Sequence, residues 1–228
     1  MNHGLSVTCF KYVILSLRAG GACEPGGCSG SVKPSLLAIL LACTLSGCMG
    51  GGGNSVRYYL IDPVDVSTRS EDSNRAFSIE ITDLHVPQYL ERFQIVTRDE
   101  ENRLHLSDNN QWGENLRKNL LRTLSQNLSR HLDTIDIGTP LNRSASLPDY
   151  RIHVYIDRFE REIDGIVRLR ARWQLSDSSE TVLGTYSADL DSGSRTEDKD
   201  YDAIVSSMQS LFGQLSERIA DTVITGKH

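Results

Sequence analysis

The chain has no cysteine in the part where a folded domain could use one. All five of its cysteines lie at or before Cys48. A domain beyond Cys48 therefore has neither a disulfide framework nor a cysteine-ligated metal site, and its apolar core must hold it together. Basic residues are in the minority, with 24 Lys and Arg against 30 Asp and Glu. This balance argues against a nucleic-acid partner and against docking on an anionic surface by charge alone.

The sequence also lacks an apolar run long enough to cross a membrane. Residues 36–42 are continuously apolar, but a spanning helix needs about 20 such residues. The run follows Lys33 and precedes Leu45-Ser46-Gly47-Cys48, an order that is typical of a bacterial secretory signal. The last four residues match the pattern called a lipobox, in which a diacylglycerol is attached to the cysteine sulfur. We therefore expect Cys48 to be the lipidated first residue of a mature lipoprotein, labelled by palmitate.

The predicted anchor sets the boundaries and the address of the mature chain. Residues 1–47 are interpreted as a signal peptide that is cut away, with residues 1–31 as an extension of the gene model. Residues 48–55 are interpreted as the lipidated cysteine and a glycine-rich flexible linker. Met49 stands where Asp would favour the inner membrane, so we expect the periplasmic face of the outer membrane. Loss of residues 1–47 removes three basic and one acidic residue, which changes the net charge from −6 to −8.

Hydrophobic periodicity predicts one domain over residues 56–226. Apolar residues alternate with polar ones in segments bounded by turn residues, as in half-buried strands. The predicted strands cover residues 56–61, 76–86, 94–97, 103–106, 135–137, 150–159, 167–175 and 182–190. The third and fourth strands are expected to form a hairpin, and the last three an antiparallel meander with one apolar face.

Two helices complete the predicted domain. Residues 112–132 carry leucines four apart, and residues 201–224 carry a second apolar stripe that stops before Gly226. Ser107 to Asn110 are the expected capping residues of the first helix. A leucine zipper is the alternative for the first stripe, but spacing of four drifts around a helix and favours packing on a sheet. The predicted fold is α+β, a single mostly antiparallel sheet with two long amphipathic helices packed on one face.

Motifs that would support catalysis or metal binding are missing from the sequence. It contains no G-x-S-x-G elbow, no H-E-x-x-H pair and no glycine-rich phosphate loop. The histidines of the predicted domain stand singly, without the spacing of metal ligands. Asp198, Asp200 and Asp202 begin like a calcium loop, but Ala203 replaces the glycine that such a loop needs. We therefore predict a protein that is not an enzyme and has neither a metal nor a cofactor.

Three arginines form the most prominent charged row of the predicted meander. Arg168, Arg170 and Arg172 alternate with apolar residues and so share one face of a strand. Such a row could bind an acidic partner, because each guanidinium offers a planar fork of donors. The row could equally form ion pairs with carboxylates on the neighbouring strands, and we favour this second interpretation.

The connection after residue 86 is unusually rich in large side chains. Pro87 ends the preceding strand because it has no N–H to donate, and Tyr89, Leu90 and Phe93 follow within six residues. Arg92 adds a fork that suits a carboxylate or a phosphate, and aromatic residues with Arg are enriched at binding hot spots. We therefore predict that Pro87, Tyr89, Leu90 and Arg92 contact a partner or a neighbouring subunit. The alternative is that some of these side chains pack beneath the sheet edge.

An ordered set of features resembles one known family. In chain order these are Cys48, Tyr58-Tyr59-Leu60, residues 86–96, Trp112 with Glu114, the alternating Leu169, Ala171 and Trp173, and the terminal amphipathic helix. The set resembles the PqiC (YmbA) family, the ABC-type transport auxiliary lipoproteins. Residues 86–96 are similar to a family signature in which an acidic Asp is usual where this chain has Glu91. The resemblance covers essentially the whole predicted mature chain.

The resemblance implies a role rather than a reaction. Lipoproteins of this family accompany membrane-anchored MCE-domain proteins that carry lipids between the inner and outer membranes. The resemblance implies that this chain is the docking component at the outer membrane, with an MCE-domain protein as partner and a homo-oligomer as an option. A periplasmic lipid-binding carrier and a structural lipoprotein of envelope assembly are the two alternatives.

Overall fold

The computed structural model describes residues 55–65, 78–100, 102–144 and 146–226. The strands are β1 (Arg57–Tyr59), β2 (Ile79–His85), β3 (Gln94–Glu100), β4 (Arg103–Trp112), β5 (Ile137–Gly138), β6 (Tyr150–Arg161), β7 (Val167–Asp177) and β8 (Val182–Asp191). Helix α1 (Leu116–Leu132) lies between β4 and β5 in the chain, and helix α2 (Tyr201–Thr225) follows β8. Each strand and helix expected from the periodicity is present. The predicted signal peptide, most of the linker and the predicted start of β2 at residue 76 lie outside the described residues.

Strand β6 is the centre of the sheet. One of its edges pairs with β7 along almost its whole length, and β7 pairs in turn with β8. The other edge pairs first with β2, from Tyr150 to Tyr155, and then with β3, where Thr97 faces Arg161. Strand β5 lies beside β2, while β4 and then β1 lie beside β3. Strands β2 and β3 therefore follow each other along the same edge of β6.

The prediction of a mostly antiparallel sheet is wrong, because the sheet is mixed. Parallel pairs join β1 to β4, β2 to β5, β2 to β6 and β3 to β6. Antiparallel pairs join β3 to β4, β6 to β7 and β7 to β8, which confirms the predicted hairpin and meander. The antiparallel partners are neighbours in the chain, joined by short turns that the sequence reveals. The parallel partners are distant in the chain, and alternation alone carries no information about their direction.

Helix α1 starts later than expected. Strand β4 continues through Trp112 to pair with β1, so the helix begins at Leu116 rather than at residue 112. Asn115 caps it, because the Asn115 side chain accepts a hydrogen bond from the Lys118 backbone N–H at 3.2 Å. The expectation that Ser107 to Asn110 cap this helix is therefore wrong, since these residues belong to β4.

Both helices pack on the apolar face of the sheet. The leucines of the α1 stripe are at most 4% exposed within a single chain, as expected for a helix on a sheet. From α2, Phe212 approaches Phe159 of β6 with ring centroids 6.2 Å apart, and Thr222 accepts a hydrogen bond from the Trp173 indole at 3.1 Å. The buried apolar residues form one cluster from Ile61 to Val223. In the described part of the chain, no helix is long and apolar enough to span a membrane.

Candidate docking surface

Cys48, the predicted site of lipidation, lies outside the described residues. The described chain starts at Ser55, seven residues further on, and an extended segment of that length reaches about 25 Å at most. Strand β1 follows immediately and pairs with β4. Lipidation of Cys48 stays a prediction.

A segment that the periodicity did not reveal fastens this end of the domain to the helices. We call residues 60–65, which follow β1, the strap. The amide of Asn119 holds the Ile61 backbone on both sides, since its oxygen accepts from Ile61 N at 2.8 Å and its nitrogen donates to Ile61 O at 3.0 Å. The Thr123 hydroxyl also donates to Ile61 O, at 2.7 Å. These buried side chains of α1 replace the partner strand that the strap lacks among the described residues.

The strap continues across α2. Asn127, one turn beyond Thr123, accepts a hydrogen bond from the Val64 N–H at 3.2 Å and donates to Ser216 of α2 at 3.1 Å. Gly213 of α2 lies against Val64 so closely that a Cβ atom at Gly213 would be 2.7 Å from a Val64 methyl group. The sequence signal for this contact is the polar row at residues 119, 123 and 127, four apart beside the leucine stripe. The row predicts a buried polar face but does not say which segment covers it.

The predicted partner-binding segment connects β2 to β3. Strand β2 pairs with β6 up to Tyr155, and β3 pairs with β6 at Arg161. The connection passes the stretch of β6 between these two residues. Pro87 is half-buried and its carbonyl accepts a hydrogen bond from the Leu90 N–H at 2.9 Å, which closes a turn. The connection is therefore an ordered turn that fits against the edge of β6.

Two of the predicted contact residues point into the domain. Leu90 is only 2% exposed and belongs to the apolar core. Tyr89 is half-buried, and its hydroxyl donates a hydrogen bond to the Glu160 carboxylate at 2.8 Å. Leu90 therefore has no surface to offer a partner, and Tyr89 serves chiefly to complete a buried polar cluster.

Glu160 of β6 is the acceptor at the centre of that cluster. Its side chain is completely buried, and it accepts hydrogen bonds from Arg98 Nη2 at 2.9 Å and from the Phe159 N–H at 3.1 Å. The hydrogen bond to Glu160 raises the pKa of Arg98. Burial and the facing carboxylate of Glu160 raise the pKa of Tyr89. The cluster thus satisfies a buried charge where the connection crosses β6, as buried carboxylates require.

The exposed side chains of the connection are Gln88, Glu91, Arg92 and Phe93, and of these Arg92 and Phe93 combine a cationic fork with a large apolar ring. Both lie just before β3, and Phe93 is 68% exposed, a high value for a large aromatic side chain. Within the described residues, the Arg92 side chain forms neither an ion pair nor a hydrogen bond. Binding of a partner at Pro87, Tyr89, Leu90 and Arg92 stays a prediction. The geometry concentrates it on Arg92 and on Phe93, its exposed neighbour.

The arginine row of β7 is paired with carboxylates. Arg170 contacts Asp189 of β8 at 2.7 Å, and Arg172 contacts Asp157 of β6 at 2.9 Å. Arg168 binds Asp164 at 2.6 Å and Glu162 at 2.5 Å. The second interpretation of the row is thus confirmed, because carboxylates of β6, of β8 and of the turn between β6 and β7 compensate its charges.

A groove along the outer side of α2 bears on the carrier alternative. Its volume is about 490 Å³, and its walls include Ser206, Gln209, Gln214 and Glu217 of α2, with Val64 of the strap. These walls are mainly polar, whereas lipid chains require an apolar cavity. This groove therefore does not provide the pocket that a lipid carrier would need.

Comparison with known proteins gives a consistent result for most of the chain. The model of the family described as "ABC-type transport auxiliary lipoprotein component" matches residues 58–220. The chain is 25% identical to the intermembrane transport lipoprotein PqiC of Escherichia coli K12 over 188 residues, which cover 82% of this chain and 96% of that protein. The protein of the same name from Shigella flexneri gives the same values.

Solved structures share the fold. A crystal structure of a Xanthomonas campestris protein superimposes with a TM-score of 0.63 at 15% identity, covering 75% of this chain and 97% of that one. A crystal structure of an uncharacterized protein has a TM-score of 0.59 at 21% identity, covering 74% of this chain and 99% of that one. At these identities the structural similarity establishes the architecture alone.

Proposed function

The chain belongs to the family of ABC-type transport auxiliary lipoprotein components, and from this premise we propose that it is the non-catalytic docking component of an intermembrane lipid transport system at the outer membrane. The observation that carries the proposal is the extent of the family match. It runs from β1 to the last turns of α2 and starts ten residues after the lipobox cysteine. The Escherichia coli relative, which matches over 96% of its length, is named as an intermembrane transport lipoprotein.

The anchor supplies the location in this proposal. Residues 1–47 direct export and are removed, and lipid on Cys48 holds residues 56–226 at the periplasmic face of the outer membrane. Two or three acyl chains on one cysteine anchor a protein stably, whereas a single chain binds only marginally. The short linker leaves the domain beside the membrane, where it can receive a partner that reaches across the periplasm.

The partner in this proposal is an MCE-domain protein of the same transport system. Arg92 and Phe93 are the exposed side chains of the β2–β3 connection that we expect such a partner, or a neighbouring copy of this chain, to contact. An aromatic ring beside a guanidinium combines apolar contact area with a directional donor, which suits a binding hot spot.

The anchor is tested by substituting the cysteine. Cys48→Ala should abolish palmitate labelling and remove the protein from the outer-membrane fraction, while Met49→Ala, one residue further on, should change neither. Palmitate labelling and outer-membrane fractionation of Cys48→Ala would contradict the proposed anchor.

The docking role is tested by co-purification. The full chain, extracted from its own cell envelope in detergent, should bring down an MCE-domain protein, and Arg92→Ala with Phe93→Ala should weaken this capture without lowering the thermal midpoint. Glu91→Ala, an exposed neighbour in the same turn, is the matched control. Extractable phospholipid without any MCE-domain protein would favour the carrier alternative.

A further inference from the structure

Strand β8 forms a long sheet edge that, among the described residues, has no partner strand on its outer side. It spans ten residues, Val182 to Asp191, and pairs only with β7 in the part of the chain that the structure describes. The other outer strands are short, since β1 has three residues and β5 has two. A strand edge exposes unpaired N–H and C=O groups, which form a ready template for another extended chain.

The hydrogen-bond alternation identifies the backbone groups on this edge. Ser192 N–H donates to Val167 O at 3.0 Å, so residue 192 is bonded to β7. In an antiparallel pair, alternate residues direct their backbone groups to the same side. From Gly184 to Leu190, beyond the irregularity near Val182, the even-numbered residues therefore direct their backbone N–H and C=O groups towards β7. The backbone N–H and C=O groups of Thr185, Ser187 and Asp189 point to the open edge.

Strand β8 has only part of the usual protection of an edge strand, namely two aspartates at its end and the irregularity near Val182. Its sequence contains no proline and no lysine, the residues with which proteins commonly block exposed edges. Val182 and Leu183 at its start are 51% and 43% exposed. Further along, the Tyr186 ring stacks on Trp173 with centroids 5.7 Å apart and lies over Gly184, where any Cβ atom would be 2.6 Å from the Tyr186 oxygen. From Gly184 onward the strand pairs in regular register with β7, and its other edge is unpaired among the described residues.

The side chains of β8 define the chemistry of a suitable partner. On the helix-covered face, Tyr186, Ala188 and Leu190 alternate, so an added strand would need apolar residues there. From Asp177 to Asp191 the chain has four carboxylates and no Lys or Arg. Asp189 is already paired with Arg170 of β7 at 2.7 Å, which leaves Asp177, Glu180 and Asp191 without an ion pair among the described residues. A second copy paired through the same edge would place these carboxylates against each other, whereas basic residues on the opposite face of an added strand would complement them.

We propose that the open edge of β8 binds an extended segment of a partner protein by strand addition, and that apolar residues alternate with Lys or Arg in that segment. The backbone supplies the affinity and the two faces of β8 supply the selectivity, as in other cases of strand addition. The identification of the partner as a transport component rests on the proposed function, but the binding mode follows from β8 itself.

Substitution of one outward-facing residue tests the binding mode. The probe is a fluorescent synthetic peptide of about ten residues that alternates Val with Lys, added to the purified full chain in detergent. Ser187→Pro removes an N–H from the open edge without breaking a bond to β7, and should weaken binding about tenfold or more. Ser187→Ala keeps the N–H and should bind as the unchanged chain does. Equal binding by Ser187→Pro and Ser187→Ala, or no binding by the unchanged chain, would overturn the proposal.

Changes to the probe provide a test that does not depend on the folding of a variant. N-methylation of alternate amides in the peptide should weaken binding about tenfold, because these groups form the new ladder. A peptide in which Glu replaces each Lys should bind more weakly than the original peptide at low salt, because the carboxylates of β8 then face like charges. Tight binding of the methylated peptide would overturn strand addition. Tight binding of the acidic peptide would overturn the proposed charge selectivity.

Two outcomes separate this inference from the proposed function. Capture of an MCE-domain protein by Ser187→Pro at the level of Ser187→Ala would sink the β8 proposal and leave the docking role intact. Peptide binding that behaves as expected, without any capture of an MCE-domain protein, would sink the docking role and leave strand addition intact. A dimer of the full chain that Ser187→Pro dissociates would show that a second copy occupies the edge, and would overturn the proposed partner.

Discussion

At the scale of single residues, burial decides which of the many ion pairs matters. Glu160 is completely buried and the Arg98 side chain is only 17% exposed, while Arg170 and Asp189 are both more than half exposed. Water screens the exposed pair, and ordering two mobile side chains offsets most of its Coulomb energy. Removal of one partner from the buried pair instead leaves an uncompensated charge in the interior. The outer face of the sheet therefore contains one structurally critical carboxylate among many dispensable ones.

The first prediction compares these two carboxylates. Glu160→Ala should lower the free energy of unfolding by about 3–5 kcal/mol, because Arg98 and Tyr89 lose their common acceptor. Asp189→Ala, on the same face of the sheet, should cost about 1 kcal/mol or less. Urea unfolding at pH 7 measures both values. Similar costs for the two variants would mean that water reaches the Glu160 cluster.

The second prediction concerns alkaline pH. Burial and the Glu160 carboxylate raise the pKa of Tyr89 in the folded protein, whereas in the unfolded chain it is about 10. Above pH 10 the unfolded chain loses a proton that the folded protein keeps, so this contribution to stability is full below pH 10 and decreases as pH rises. Tyr89→Phe should cost about 1–2 kcal/mol at pH 7 and show a shallower loss of stability from pH 10 to 11. Parallel stability curves for the two proteins would contradict the assigned role of Tyr89.

At the scale of elements, the strap and α1 depend on each other. The strap has backbone donors and acceptors but, within the described residues, no partner strand, and α1 presents three buried polar side chains in a row. A buried backbone group without a partner costs more than an average hydrogen bond contributes, so loss of either part would leave buried polar groups of the other part unpaired at a cost in stability. The close approach of Val64 to Gly213 extends this contact to α2.

The third prediction tests this dependence. Asn119→Ala leaves the Ile61 N–H without its acceptor and should cost about 1–3 kcal/mol. Gln126→Ala, on the exposed side of the same helix, should stay within about 0.5 kcal/mol of the unchanged protein. Hydrogen exchange of the Ile61 amide should accelerate in Asn119→Ala alone. Equal exchange rates in both variants would show that Asn119 does not hold the strap.

At the scale of the whole molecule, the domain has one core. The buried apolar residues of the described part run from Ile61 to Val223 and form a single cluster. Both helices, the strap and seven of the eight strands contribute side chains to it. Such a core should unfold in one cooperative transition.

The fourth prediction follows from the extent of this core. A fragment of residues 55–226, without Cys48 and the residues before it, should fold to a soluble domain with a single unfolding transition. Its midpoint should lie within about 3 °C of that of the full chain, because for a domain of this size a larger shift would correspond to more than about 1 kcal/mol of lost core contacts. Calorimetry of the fragment and of the full chain in the same detergent measures both midpoints.

Local patterns made the elements and the family predictable. The alternation in β6, β7 and β8 and the leucine spacing in α1 depend on residues a few positions apart, so the sequence displays them directly. The lipobox and the signature at residues 86–96 are contiguous as well. The start of α1 was misplaced, because Trp112 is apolar in either assignment, and its place in β4 depends on a partner strand more than fifty residues earlier.

The sequence by itself determined the order of strands and helices, the apolar face of each and the absence of cysteine from the domain. Only the tertiary structure decided the direction of the parallel pairs, the burial of Leu90, the role of Tyr89 towards Glu160 and the open edge of β8. Each of these depends on which distant segments meet. The energy of a buried charge or of an unpaired strand edge is set by neighbours in space, and no local period of the chain records them.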